Sequence, residues 1–121
     1  MMACKAYGTA RAGHMMHGTT RQVLSLITNP LDVMCANLQT VRGMMNARPD
    51  ILGAHLEGPF LALSRKGAHD PECLKDPVPE YVDRLLQAAN GCFAADYHCA
   101  LNCLTVLMRF VVLQRPEWFL R

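Results

Sequence analysis

The spacing of hydrophobic and polar positions changes along the chain, and this change predicts a strand followed by a helix. Residues 19–28 (TTRQVLSLIT) form a short apolar run rich in β-branched side chains, typical of a buried strand. Asn29 and Pro30 follow, and we expect Asn29 to cap a helix that has Pro30 at its first position. Over residues 31–46, apolar side chains recur at three- and four-residue steps, as on one face of a helix. That stripe comprises Leu31, Met34, Cys35, Leu38, Val41 and Met45.

The second half of the pattern repeats this order of strand and helix. Residues 51–56 (ILGAHL) predict another short strand, and residues 58–76 predict a long polar loop with two glycines and two prolines. A third helix is expected over residues 80–89, ending at Asn90-Gly91. Before the first strand, residues 5–16 predict a weaker helix.

The alternation of strands and helices implies parallel strands joined by right-handed crossovers. Two strands are too few for a doubly wound sheet or a complete barrel, since a (β/α)₈ barrel takes roughly 250 residues. The pattern by itself therefore predicts an α/β segment of a larger fold.

Composition excludes several classes of protein. Of the 121 residues, 51% are hydrophobic and 18% charged, which argues against disorder, and the net charge of +2 argues against a nucleic-acid surface. The apolar residues 100–113 are interrupted by Asn102 and Arg109 and are too few to span a membrane. Six cysteines form no Cys-x-x-Cys pair, so we expect free thiols in a cytoplasmic protein.

The chemistry concentrates in residues 53–69 (GAHLEGPFLALSRKGAH). Glu57 follows an apolar strand, where parallel α/β proteins place their ligands, and its carboxylate can bind a divalent metal. His55 lies two residues earlier and points to the same face. Taken alone, such a glutamate is more often a cap or an ion-pair partner, and such a histidine is more often a hydrogen-bonded core residue. The loop residues 64–66 (SRK) are basic, and a solvated loop is a better interpretation for them than a phosphate site.

Two motifs at fixed spacing resemble those of N-acetylglucosamine-6-phosphate deacetylases, members of the amidohydrolase superfamily. Residues 55–60 (HLEGPF) are similar to the H-x-E-G-P-[FW] motif of that family, and residues 66–69 (KGAH) contain its G-[AT]-H motif. Residues 17–20 (HGTT) are similar to the entry of its second strand, and the resemblance covers about residues 14–91. The paired motifs are specific, whereas HGTT alone would be weak.

The resemblance implies a fold, a reaction and a set of site residues. The fold is a (β/α)₈ barrel flanked by a small β-sandwich, often as a homodimer, and the reaction hydrolyses the N-acetyl group to give glucosamine 6-phosphate and acetate. Glu57 matches the glutamate that binds a divalent metal, either zinc or iron. Ala68 and His69 match the pair that contacts the phosphorylated amino sugar, and His55 matches a residue expected to support the metal ligand without touching the metal.

Other parts of the family site have no counterpart in this chain. These are two later histidine ligands, a phosphate-binding arginine and the aspartate that serves as general base and acid. One carboxylate cannot hold a catalytic metal that takes about three protein ligands. We therefore expect residues 1–91 to form part of an amidohydrolase barrel, with no activity in the isolated chain.

Residues 92–121 do not resemble the family. The family continues with a strand similar to L-R-Q-I-T-I-A-P-E, whereas residues 93–100 are FAADYHCA. Codons for FAADYHCA, shifted by one base, can encode L-R-Q-I-T-I-A-P at every position. This predicts a shifted reading frame after about Cys92 and a divergent, helix-prone tail.

Two alternatives to a deacetylase stay open at this point. One is a non-catalytic interaction protein that uses its apolar tail to bind a partner. The other is a metal-binding module, although its spacing is typical of no zinc site that we can name. Its candidate ligands are Cys92, His98, Cys99 and Cys103.

Overall fold

A computed structural model describes residues 2–93, which form an α/β unit of three helices and two parallel strands. The predicted order of elements is confirmed, with ends that differ by a few residues. The two short 3₁₀ turns, Leu63–Arg65 and Pro71–Cys73, lie within the predicted loop. The elements are α1 (Met2–Met16), β1 (Gln22–Ile27), α2 (Leu31–Ala47), β2 (Ile51–Glu57) and α3 (Pro79–Ala89).

The start of α2 differs from the prediction. Pro30 occupies the capping position itself, with an extended ψ of 139°, and its carbonyl accepts the first helical hydrogen bond from Met34 N at 3.0 Å. Asn29 therefore lies outside the helix, and its Nδ2 donates to the carbonyl of Ile27 at 3.2 Å. The predicted asparagine cap is wrong, because Pro30 takes the capping position and no side chain caps the helix there. At the end of α3, Asn90 adopts the left-handed conformation (φ 42°) and terminates the helix as predicted.

The two strands pair in parallel, with Leu26 opposite Leu56 and Ile27 opposite Glu57. One face of this sheet packs against α2, which in turn packs along α3. Leu38, Leu56 and Leu85 are fully buried between these layers. The apolar stripe of α2 is confirmed, although Met44 is buried more deeply than the predicted Met45.

The opposite face of the sheet is open in the part of the chain that the structure describes. Val23 and Ile27 on β1 are 37% and 48% exposed. Parallel sheets are ordinarily covered on both faces, or close into a barrel whose interior the second face lines. Beyond β2, Ala54 N donates to the carbonyl of Cys92 at 2.7 Å, and Phe93 forms a parallel bridge with Ala54. Phe93 therefore pairs with β2 on the side away from β1.

The amino ends of the two strands are joined to α1 by a polar network. The Arg11 guanidinium makes a two-pronged ion pair with Asp50, with Nη2 donating to Oδ1 at 2.7 Å. Gln22 Nε2 donates to the carbonyl of Arg11 at 3.1 Å, and Gln22 N donates to the carbonyl of Asp50 at 2.8 Å. This network holds α1 against the sheet. No helix within residues 2–93 is long and apolar enough to cross a membrane.

Candidate functional site at the carboxyl ends of the strands

Glu57 is the last residue of β2, and its side chain is 54% exposed at the carboxyl end of the sheet. Parallel strands bring their carboxyl ends to the same edge, so the segments that follow β1 and β2 meet there. The carboxylate of Glu57 is thus presented to solvent beside the loop that follows β2.

The chain turns sharply after Glu57, at the Gly58-Pro59 peptide bond, which is cis. Gly58 has φ +106°, a conformation that side-chain-bearing residues rarely adopt. A Cβ at this position would lie 2.1 Å from Thr28 Oγ1. Glycine is therefore required here on both counts, by the backbone angle and by the close approach of Thr28.

Thr28 lies directly after β1, is 5% exposed, and joins the two strand ends. Its hydroxyl donates to the carbonyl of Glu57 at 3.1 Å. Its Oγ1 also lies 2.6 Å from Nδ1 of His69. Thr28 thus connects the end of β1 to the metal-ligand candidate and to the loop histidine.

His69, from the predicted GAH motif, is 7% exposed and points back toward the strand ends. Its Nε2 lies 3.8 Å from Glu57 Oε1. The loop is closed around it, because His69 N donates to the carbonyl of Lys66 at 3.0 Å and Lys66 Nζ lies 3.4 Å from the carbonyl of His69. Two motifs that are separate in the sequence therefore meet through the side chains of Glu57 and His69.

A pocket lies beside this pair, between the end of β1 and the loop that follows β2. Ala68, the other predicted substrate-contacting residue, lies on its wall with an exposed side chain. The lining residues are Ile27, Glu57, Leu61, Arg65, Lys66, Gly67, Ala68 and His69. Arg65 and Lys66 were expected in a solvated loop, and the structure places them on this wall.

His55 does not reach the pocket wall. It lies opposite Ser25 in the register, and its Nδ1 is 3.0 Å from Ser25 Oγ. Both side chains belong to the open face of the sheet, two residues before its carboxyl edge. His55 therefore links the two strands behind Glu57.

Within residues 2–93, no group of three or more histidine, cysteine or acidic side chains is arranged to hold a metal ion. Glu57 and His69 offer one carboxylate and one imidazole, fewer than the protein ligands of a typical catalytic site. Of the alternative Cys/His cluster, only Cys92 is described; it is buried, and its Sγ lies 3.7 Å from the carbonyl of Leu38. Its other members, His98, Cys99 and Cys103, lie outside the described residues.

Thr28 was not predicted as a site residue. Its sequence signal is weak, since a threonine at the end of a β-branched strand is ordinary. The one available hint was position, because Thr28 ends the first predicted strand and Glu57 directly follows the second. Only the pairing of the strands shows that the two ends touch.

The chain is similar in sequence to two sugar-phosphate deacetylases. It is 31% identical over 75 residues to the N-acetylglucosamine-6-phosphate deacetylase of Haemophilus influenzae, covering 61% of this chain and 20% of that protein. It is 35% identical over 63 residues to the N-acetylgalactosamine-6-phosphate deacetylase of a Shewanella species, covering 51% and 16%. No protein-family model matches the chain.

Solved structures give the same result. The N-acetyl-D-glucosamine-6-phosphate deacetylase of Mycobacterium smegmatis superimposes with a TM-score of 0.71 and 31% identity, over 79% of this chain and 26% of that one. An aspartate-to-alanine mutant of the enzyme from that organism, in complex with N-acetyl-D-glucosamine-6-phosphate, matches with a TM-score of 0.58 and 37% identity, over 63% and 20%. The chain thus spans about a fifth of the length of the curated relatives. These matches, which cover 61% and 79% of this chain, confirm the resemblance to N-acetylglucosamine-6-phosphate deacetylases that the sequence predicted.

Proposed function

We propose that the described residues are the part of an N-acetylglucosamine-6-phosphate deacetylase that carries one metal ligand and the substrate-contacting loop. One observation supports this above all: the HLEGPF and KGAH motifs bring Glu57 and His69 within 3.8 Å of each other beside a pocket. The open face of the parallel sheet supports a (β/α)₈ barrel, in which that face lines the interior.

In this proposal each motif residue has a separate role. Glu57 binds a divalent metal, zinc or iron, through its carboxylate, and the bound metal supplies Lewis-acid polarisation of the substrate amide. Oxygen donors suit either ion, but residues 2–93 provide only part of a ligand set. Ala68 and His69 contact the sugar, and His55 holds β2 in register through Ser25 so that Glu57 keeps its position.

The charge of the pocket supports an anionic substrate. Its wall carries the cations Arg65 and Lys66 and the single carboxylate of Glu57, which leaves a positive balance. A positive field in a cleft raises the local concentration of anions such as a sugar phosphate.

The Shewanella relative makes the galactosamine epimer a second candidate substrate. N-acetylglucosamine 6-phosphate and N-acetylgalactosamine 6-phosphate differ only in the orientation of one ring hydroxyl. The chain is 35% identical to that relative over 63 residues, so the two sugars should be compared directly.

Binding of the sugar phosphate to the 121-residue chain tests the proposal. We expect N-acetylglucosamine 6-phosphate to shift the amide resonances of Glu57 and of residues 66–69, and N-acetylglucosamine without phosphate to shift them less. Substitution of His69→Gln should weaken the response, whereas His14→Gln, on the exposed end of α1, should not. Absence of any response at millimolar sugar phosphate would contradict the proposal. A larger response to the galactosamine epimer would reassign the substrate.

The coding DNA tests a second part of the proposal, the shift of reading frame after about Cys92. The parallel bridge at Phe93 supports it, because Phe93 pairs with β2 at the point where the family sequence begins its next strand. We expect the next frame to encode the I-T-I-A-P strand and then the two histidine ligands and the late aspartate. We expect that restored protein to release acetate from the sugar, and the 121-residue chain to release none. Divergence in every frame would contradict the shift.

A further inference from the structure

Ile27, the last residue of β1, stands beside Glu57 on the open face of the sheet. The parallel register places these two residues opposite each other. Neighbouring strands lie about 4.8 Å apart, and register partners point to the same face, so the two side chains are immediate neighbours. Ile27 is 48% exposed and the Glu57 side chain 54%, and both line the pocket. An apolar surface therefore adjoins the carboxylate.

The pocket carries two kinds of side chain, and they come from different segments. The cations Arg65 and Lys66 belong to the loop after β2, whereas Ile27 belongs to β1. Leu61 adds a second apolar side chain to the lining, and its Cδ1 lies 3.4 Å from the position that a Cβ on Gly58 would take. A ligand that fits such a lining has an anionic group and, elsewhere on the molecule, a small apolar group.

We propose that Ile27 is a specificity-determining residue that contacts the methyl of the substrate N-acetyl group. This inference rests on the proposed function, in which Glu57 lies where the amide is cleaved. The acetyl methyl is bonded to the carbonyl carbon of that amide, so it lies close to Glu57, and Ile27 offers it an apolar surface there. The contact buries the methyl away from water, and it is lost when the acetyl group is absent.

Methyl NMR of the full 121-residue chain tests the contact directly, because the sequence contains two isoleucines. Ile51, at the amino end of β2, is 2% exposed and serves as the internal reference. N-acetylglucosamine 6-phosphate should shift the δ1-methyl signal of Ile27 and show a nuclear Overhauser effect between that methyl and the acetyl methyl. Glucosamine 6-phosphate, which lacks the acetyl group, should shift the signal less. Ile27→Val identifies the two signals by removing one of them.

The ratio of two dissociation constants tests the specificity, with glucosamine 6-phosphate compared to its N-acetyl form in each variant. Loss of one buried methyl contact corresponds to about a fourfold change in affinity, so Ile27→Ala should reduce the preference for the acetylated sugar about fourfold. Val23→Ala is the matched control. Val23 is 37% exposed on the same face but lies four residues, about 13 Å, toward the amino end and does not line this pocket. Its ratio should equal that of wild type.

Two results would overturn the role of Ile27 and leave the proposed function standing. One is a response of the amides of residues 66–69 to N-acetylglucosamine 6-phosphate without any response of the Ile27 methyl. The other is a wild-type ratio in Ile27→Ala. Absence of a response at both places would overturn the proposed function and this inference together. If Ile27→Ala does not fold, the Overhauser effect in the wild-type chain decides alone.

Discussion

The two ends of the parallel sheet each carry a polar network that joins the strands, and the networks differ in what they leave unused. At the amino end, Arg11 and Asp50 pair with both side chains only 17% exposed, and their charges neutralise each other. At the carboxyl end, the Glu57 side chain is 54% exposed, and Nε2 of His69 lies 3.8 Å from its carboxylate. The polar groups at the amino end thus stabilise the fold. At the carboxyl end, an exposed carboxylate can still bind a ligand.

This division agrees with the general behaviour of parallel α/β proteins, in which the carboxyl end binds ligands and the amino end contributes to stability. It predicts that removing a carboxylate affects a different property at each end of the sheet. Loss of Asp50 should affect folding, and loss of Glu57 should affect binding. Gly58 is an exception to this division. It lies at the carboxyl end, but substituting it should affect folding as well as binding.

The largest effect on stability is expected from Gly58→Ala. The new Cβ meets Thr28 Oγ1 at 2.1 Å, and φ +106° is strained for alanine, so strain and overpacking together should cost about 4 kcal/mol. Gly67→Ala is the matched control, since Gly67 also has a positive φ (+55°) but no atom within 4 Å of the added Cβ. That control should cost about 1–2 kcal/mol. Urea unfolding measures both, and equal losses would show that the contact with Thr28 is unimportant.

The next effect is a pH dependence at the amino end, removed by Asp50→Asn. The hydrogen bond from Arg11 holds the pKa of the Asp50 carboxyl below its ordinary value. The pair therefore stabilises the folded chain above about pH 3.9, where the unfolded carboxyl is ionised, and the contribution is lost as pH falls through the lower folded pKa. Asp50→Asn should lower the urea midpoint at pH 7 and bring it closer to wild type in strong acid.

Asp32→Asn is the control for that measurement. Asp32 pairs with Arg84 on the surface, where the side chains are 87% and 45% exposed, and such pairs contribute little. Its urea midpoint should change less than that of Asp50→Asn at pH 7. A larger change in the Asp32 variant would contradict the structural role of the Arg11–Asp50 pair.

The smallest effect on folding is expected from Glu57→Gln. The side chain is exposed and the facing His69 nitrogen is 3.8 Å away, beyond hydrogen-bond distance, so the free energy of unfolding should stay within about 0.5 kcal/mol of wild type. The amide response to the sugar phosphate should nevertheless change, because a pocket-lining charge is removed. A loss of stability as large as that of Asp50→Asn would show that both ends of the sheet are structural.

Much of the fold could be predicted because local patterns agree with the tertiary arrangement. The apolar stripe of α2 and the apolar sequence of β2 each predict which side chains are buried. Leu38 and Leu56 are fully buried as expected. The cap of α2 could not be predicted in the same way. Asn29 had the right residue type for a cap, but Pro30 takes the capping position and the Asn29 amide donates to the carbonyl of Ile27, a local bond of the kind that also forms outside helices.

The residue types and motif spacing in the sequence determined the α/β class, the strand that leads to Glu57 and the resemblance to sugar-phosphate deacetylases. Only the tertiary structure decided that Thr28, Glu57 and His69 share one network, because these residues are 29 and 41 positions from Thr28 along the chain. Contacts of that kind depend on the parallel register of β1 and β2 and on the closing of the loop over the strand ends. Neither has a local signature, since each arises when separate segments are packed together.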